Sequence, residues 1–234
     1  MGSGSENTCP KCGGASEWRG PCQRCVDAFD ARLVRLERTQ AVQRAVWQGY
    51  LFPGWRVGGW ELSDPDVEIQ SPDSWDMLRN WDGSTNLFLW GAPGVGKTYA
   101  AQLALNEIAL TRGLPIAAES AAAMVHELNR FGREWHTSRI LAAPYMLLDD
   151  VDKVSWSSAA IDAILHVLDR REKIGGRTIL TANVAPQDFV AVVQKSCPAQ
   201  NSSMAGAILD RLNPCTKVEF IGESHRRQLK QGRG

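Results

Sequence analysis

Through the middle of the chain the apolar residues fall into short runs separated by stretches of helical period. Leu87-Phe88-Leu89-Trp90, Pro115-Ile116-Ala117-Ala118, Tyr145-Met146-Leu147-Leu148, Thr178-Ile179-Leu180-Thr181 and Lys217-Val218-Glu219-Phe220 read as five strands. Most of these runs are too uniformly apolar for a sheet with one wet face, which points to strands buried on both sides. Between them the period lengthens. A helix is predicted from Thr98 to Arg112 and closed by Gly113. Ser120 can cap another that reaches about Phe131. Ile161, Ile164, Leu165 and Leu168 give one apolar side to a third, over about 159–173. Strand–helix alternation of this kind predicts an α/β domain with a mostly parallel sheet.

The first third of the chain has a different texture. Val26, Phe29, Leu33 and Leu36 recur at spacings of three and four, with arginines on other faces, and predict a helix over about Val26–Tyr50. Phe52-Pro53-Gly54-Trp55 breaks it. Gly58-Gly59, Pro65 and Pro72 mark an irregular acidic connector, and Ser74, Trp75, Met77 and Leu78 then suggest a short helix ending before Asp82-Gly83. The expected organisation is a module at 1–50, a connector at 51–72, an α/β domain at 73–222 and a basic tail at 223–234. A length of 234 residues fits one full domain plus a small module.

Composition excludes several classes. With 44% hydrophobic and 22% charged residues, the chain has material for a core and is not a disordered protein. No apolar run approaches the roughly 18–20 residues of a membrane span, and the polar N-terminus lacks a signal-peptide pattern, so a cytoplasmic protein with no membrane partner is expected. Lys and Arg together number 26, as do Asp and Glu. Nucleic-acid binding would therefore need local patches, such as Arg32, Arg35, Arg38 and Arg44, or Arg226, Arg227, Lys230 and Arg233.

Four of the six cysteines form Cys9-Pro10-Lys11-Cys12 and Cys22-Gln23-Arg24-Cys25. Each pair can chelate one ion from one side, and Gly13-Gly14 leave the backbone free to turn toward sulfur. Zinc is the expected ion, with an iron–sulfur cluster or no metal as the alternatives. Four thiolates leave no open coordination position, so the role is structural: the metal holds a module too small to fold unaided. Cys197 and Cys215 stand alone and read as buried or incidental thiols.

Gly91-Ala92-Pro93-Gly94-Val95-Gly96-Lys97-Thr98 fits G-x-x-x-x-G-K-[ST] between a predicted strand and a predicted helix. Its glycines let backbone amides surround a β-phosphate, and the helix N-terminus adds positive potential. Lys97 is expected to bridge the β- and γ-phosphates of ATP and Thr98 to ligate Mg²⁺, with Tyr99 next in the nucleotide-binding stretch. A second buried strand must bring an acid to the metal, and Asp149-Asp150 supplies one. Asp149 would hold Mg²⁺ through water, and Asp150 would orient or deprotonate the attacking water. Glu is commoner at the second position; Asp is a carbon shorter, so slow hydrolysis is expected. Asp152 reads as an additional acid or a solvated loop carboxylate. Asn183, just past the fourth strand, can reach the γ-phosphate and the water.

The order Gly91–Thr98, Asp149-Asp150, Asn183 and Ile208-Leu209-Asp210-Arg211-Leu212 resembles the AAA+ ATPases. Leu168-Asp169-Arg170-Arg171, the Leu-Thr-Ala-Asn run and the final Val218-Glu219-Phe220 narrow the resemblance to helicase loaders of the DnaC/DnaI type and the IstB-like ATPases of transposition, over roughly residues 85–222. The resemblance implies an AAA+ P-loop core with no C-terminal lid domain, joined here to the zinc module and its helix. It makes Asn183 the sensor-1 residue and Arg211 the arginine entering a neighbour's nucleotide site in an ATP-driven homo-oligomer. Alternatively Arg211 is a helix-surface arginine paired with an acid. In such loaders single-stranded DNA lies along the helix after the second strand and the loop after the third. Here those places hold Arg130-Phe131 and Ser155-Trp156-Ser157, which combine a charge with stacking surfaces; ordinary packing of Phe131 and Trp156 is the alternative. The function implied is ATP-dependent loading of a replicative DNA helicase gripped by the zinc module. A transposition ATPase of the IstB kind and a nucleotide-binding adaptor with little turnover are the alternatives.

Overall fold

The computed structural model describes residues 8–15, 21–30, the single positions 32, 33, 37 and 40, and residues 68–131, 141–196 and 202–225; the side chains of Phe131, Val190, Ser196 and residues 202–205 lie outside that description. Two compact units divide the chain, Met1–Ala41 and Val42–Gly234. In the first, helix runs over 23–30, starting before the expected Val26 because Val26 N–H already donates to Cys22 O at 3.1 Å. The expected continuation of this helix beyond position 40, the connector over 51–67 and the tail over 226–234 lie outside the described residues.

The second unit opens with α1 (Pro72–Arg79) and β1 (Leu87–Gly91), followed by α2 (Lys97–Arg112) and β2 (Ile116–Ser120). Next come α3 (Ala121–Phe131), β3 (Tyr145–Asp149), a 3₁₀ turn (Val151–Lys153), α4 (Ser158–Lys173) and β4 (Arg177–Ala182). The last elements are α5 (Pro186–Ser196), α6 (Ser202–Leu212) and β5 (Thr216–Phe220). The strands lie in the order β2-β3-β4-β1-β5 and every pairing is parallel. The strands match the apolar runs in the sequence, with β1, β2, β3 and β4 reaching one or two residues further at their carboxyl ends. Helix α5, and the extent of α6 around Arg211, are not evident in the sequence; among the described side chains, Phe189 with Val193 and Ile208 with Leu212 are the large apolar residues they bury.

Alternation along each strand feeds two cores. Phe88, Met146, Leu148 and Leu180 face one cluster shared with α3–α6, whereas Leu87, Leu89, Leu147 and Ile179 face the other, shared with α1 and α2. With both faces covered, the functional groups are left to the carboxyl ends of the strands, where β3, β4 and β1 lie side by side.

One buried charge ties the opposite edge. The Arg171 side chain, 1% exposed, donates from Nε to Thr178 Oγ1 (2.6 Å), from Nη1 to Ala143 O (2.8 Å) and from Nη2 to Arg177 O (2.6 Å) and Pro144 O (3.2 Å). No carboxylate is among these partners, and burial draws the guanidinium down to about 10. A Cβ at Gly176 would stand 2.8 Å from Nη2, so that position must stay bare. Arg171→Ala would remove the donors to Ala143 O, Arg177 O and Thr178 Oγ1, while Pro144 O keeps the Arg177 N–H; urea unfolding is expected to show a loss of about 3 kcal/mol, with Arg171→Lys recovering less than half because a point donor cannot span the same acceptors. An Arg171→Ala protein as stable as the parent would refute this account.

Candidate functional site

The loop between β1 and α2 turns through three glycines with positive φ: Gly91 at 145°, Gly94 at 88° and Gly96 at 98°. Gly91 is sterically obligatory, since a Cβ there would lie 2.0 Å from Phe220 O on β5. Val95 anchors the loop in the core, while Ala92 and Pro93 are exposed. Lys97, 5% exposed, donates to Gly91 O (2.8 Å), Ala92 O (2.9 Å) and Asn183 Oδ1 (3.1 Å). Burial lowers its pKa from the usual lysine value, and Asp150, Asp152 and Asp149 oppose that shift. Tyr99 is half-buried, edge-on to Trp75 at 6.0 Å between centroids.

Asp149 ends β3 with Oδ1 accepting from Thr98 Oγ1 (2.8 Å) and from Thr181 Oγ1 (2.5 Å). Burial pushes its carboxyl above the usual carboxylate range, and the two hydroxyls pull it partly back. Thr181, fully buried on β4, also accepts from the Asp150 amide at 2.8 Å and so joins the tips of β3 and β4. The strand run contains Thr181, but nothing in its sequence context marks this role. Thr98 and Asp149 are an oxygen pair of the type that holds Mg²⁺ beside a triphosphate.

Asp150 is the one described non-glycine residue with positive φ (55°), and its carboxylate pairs with Lys153 at 2.6 Å. Asp152 is half-buried and not simply a solvated loop carboxylate, because Asn183 Nδ2 donates to its two oxygens at 3.0 and 3.3 Å. Arg211 stands apart from this cluster: within its own chain Nε donates to Asp169 on α4 and Nη1 to Ala207 O (2.9 Å). In this subunit it makes the pairing with an acid that the sequence left as the alternative.

The expected DNA-contacting residues differ in exposure. Trp156 is 7% exposed, its ring 5.6 Å from that of Phe189, in the cluster that also takes Val151 and Val154. In this fold the loop turns its apolar residues inward, and the indole fills the gap beside α5, which is the packing alternative. Ser157 is likewise engaged, capping α4 by accepting from Ala160 N–H at 3.2 Å. Ser155 and Arg130 are exposed, and the Phe131 side chain lies outside the described residues.

A segment after β5, read from the sequence as plain tail, closes on the phosphate loop. His225 N–H donates to Gly94 O at 3.1 Å, and a Cβ on Gly94 would lie 2.2 Å from Ser224 Oγ. Gln70 and Ser71, at the end of the expected connector, hold this strap. Gln70 Oε1 accepts from Glu223 N–H (2.6 Å), and Ser71 Oγ both donates to Ile221 O and accepts from Ile221 N–H at 2.8 Å.

In the first unit the sulfurs of Cys9, Cys12, Cys22 and Cys25 lie within 4.8 Å of one another, with Cys12 and Cys22 3.6 Å apart. Four sulfurs at about 2.3 Å from a tetrahedral zinc would be about 3.8 Å apart, so the set fits that ion. Lys11 N–H donates to Cys9 Sγ at 3.4 Å, and Gly13 takes φ 71° to close the turn. The Cys22 amide draws the Cys9 thiol down to about 6, while hydrogen bonding to the Cys12 sulfur pushes Cys25 up to about 12. Cys215 is buried and its thiol is pushed up to about 11, as expected of an inert packing residue.

A wholly parallel sheet with a glycine loop, a buried lysine, a strand-end aspartate and an asparagine at adjacent tips defines an AAA+ P-loop ATP-binding domain. The chain belongs to the IstB-like ATP-binding proteins, whose family model matches residues 66–232. It is 29% identical over 161 residues to an ATP-binding protein in an insertion sequence of Mycobacterium tuberculosis, covering 67% of this chain and 61% of that relative's length. Among solved structures it is similar to DnaI (TM-score 0.59, 21% identity, 76% of this chain and 96% of that one). It is similar also to the DnaC helicase loader (TM-score 0.50, 16% identity, 76% and 99%). These two likenesses concern the fold. The cysteine module lies outside the family match. Metal analysis of the full-length protein is expected to find one zinc per chain, with Cys12→Ser losing it and retaining ATP binding. Iron, or no metal, in the parent protein would exclude the zinc assignment.

Proposed function

We propose that the protein is a Mg²⁺-dependent ATPase that assembles on single-stranded DNA and delivers a replicative helicase. The observation that carries the ATPase reading is the meeting of Lys97, Thr98, Asp149 and Asn183 at three neighbouring strand tips. In this reading Lys97 leaves its carbonyl cradle for the β- and γ-phosphates, and Thr98 and Asp149 hold Mg²⁺. Asp150, once released by Lys153, orients the water. Mg²⁺ supplies charge neutralisation on the transferred phosphoryl group. Asp150 in place of the commoner Glu, already paired with Lys153, suits a slow switch better than a fast motor.

Two observations support delivery of a partner. Phe29 and Leu33, 51% and 39% exposed, stand four residues apart on the helix of the cysteine module, forming an apolar face that a partner could cover. The fold likeness also spans nearly all of the DnaI and DnaC chains. A second reading, an ATPase that recruits a transposase, is favoured by the IstB-like family match and the insertion-sequence relative. Co-elution of the full chain with the host's replicative helicase in the presence of ATP, lost in Cys12→Ser, is the outcome expected of a loader. Binding to a transposase alone would favour the second reading.

Arg211 acts in this scheme only after Asp169 releases it to a neighbouring subunit, where a guanidinium in trans stabilises charge on the γ-phosphate. Arg211→Ala and Asp150→Asn proteins should each bind ATP and each fail to hydrolyse it. Mixed together they should regain turnover, through interfaces that join an intact Asp150 site to an intact Arg211. If mixed assemblies form and none turns over, Arg211 serves only its own subunit.

A further inference from the structure

The 3₁₀ turn after β3 separates its charges by geometry. With three residues per turn, Asp150 and Lys153 fall on one side and pair at 2.6 Å. Val151, 1% exposed, is driven into the core and anchors the turn. Asp152 is left to face the strand tips, where its two carboxylate oxygens take the Asn183 amide nitrogen at 3.0 and 3.3 Å. The other end of the same amide accepts from Lys97 at 3.1 Å.

These two partners are of opposite kinds. An ammonium has only donors and an ionised carboxylate only acceptors, so the end of Asn183 facing Lys97 must be Oδ1 and the end facing Asp152 must be Nδ2. A carboxamide flanked by solvent could turn over at little cost, and one held by Lys97 alone would lose that hold once the ammonium moves to the phosphates. We propose that Asp152 is the positioning residue of the γ-phosphate sensor: it fixes the orientation of Asn183 and so sets the discrimination of ATP from ADP. The amide nitrogen carries two hydrogens; where one is shared between the two Asp152 oxygens, the other is left available. An oxygen arriving beside Lys97, as a terminal phosphate must, then meets a donor; a reversed amide would present it with a carbonyl oxygen and repel it. Asp152 makes no contact with nucleotide in this scheme and acts only through Asn183.

The inference rests on the nucleotide-site reading, and a binding experiment separates the two. Dissociation constants for Mg-ATP and Mg-ADP are measured on the full-length protein and on Asp152→Leu, Asp152→Asn, Asn183→Ala and the Asp152→Leu/Asn183→Ala double variant. Asp152→Leu is expected to weaken ATP about five- to tenfold and ADP less than about twofold, as Asn183→Ala does. The double variant should be no worse than Asn183→Ala. Asp152→Asn, which keeps an acceptor oxygen, should retain most of the ATP preference; it also serves as the test if Asp152→Leu folds poorly, because a loss as large as that of Asn183→Ala would then contradict the acceptor role. Equal losses for ATP and ADP, an unchanged ATP preference in Asp152→Leu, or additive losses in the double variant would overturn the proposal. A parent protein that binds neither nucleotide would overturn the site reading itself.

Discussion

An ammonium group can stay charged in a protein interior only if oxygen atoms surround it, and the arrangement at the strand tips follows from meeting that condition for Lys97. Two of its oxygens are carbonyls of its own loop, Gly91 and Ala92, and they are reached because the glycines turn the chain back on itself. The third, Asn183 Oδ1, comes from the neighbouring strand. The buried ammonium thus holds β1, β4 and the phosphate loop in one register. Its acceptors are also weaker attractors than a triphosphate, so it is poised to exchange them.

The acidic side is organised by hydroxyl groups. Thr98 and Thr181 both donate to one oxygen of Asp149, from a helix N-terminus and from a strand respectively. Since Thr181 also takes the Asp150 amide, the chain is held just where it leaves β3 and enters the left-handed region at Asp150. That sharp exit is what brings the following turn, with Asp152, back toward Asn183. A parallel sheet makes this possible, because every strand delivers its carboxyl end to the same edge.

The strap after β5 links this edge to the rest of the chain. Gln70 and Ser71 hold Ile221 and Glu223, and the next residues pack on Gly94 of the phosphate loop. Gln70 and Ser71 therefore reach the phosphate loop through this strap. Displacement of either end of the strap would change the surroundings of the loop's backbone amides.

Features written in local periodicity or in contiguous motifs were legible without coordinates. The five strands, the helix closed by Gly113, the phosphate loop, the cysteine pairs and the Asp149-Asp150 pair all depend on neighbours within a few residues, where spacing and side-chain type are decisive. Helix α5 and the extent of α6 escaped because the apolar residues they bury, Phe189 with Val193 and Ile208 with Leu212, become meaningful only beside the other helices. The sequence left Trp156 open to DNA contact or packing; its contact with Phe189, 33 positions away in sequence, could be seen only in the fold. The contacts of Arg171, Thr181, Asp152 and the Gln70 strap were invisible for the same physical reason. Their partners are brought within hydrogen-bond reach only when separate strands and turns are stacked in the order β2-β3-β4-β1-β5. By itself the sequence determined which chemistry is present and which short elements carry it; the tertiary structure alone decided which donors and acceptors meet, because hydrogen bonding depends on distances that residue order does not specify.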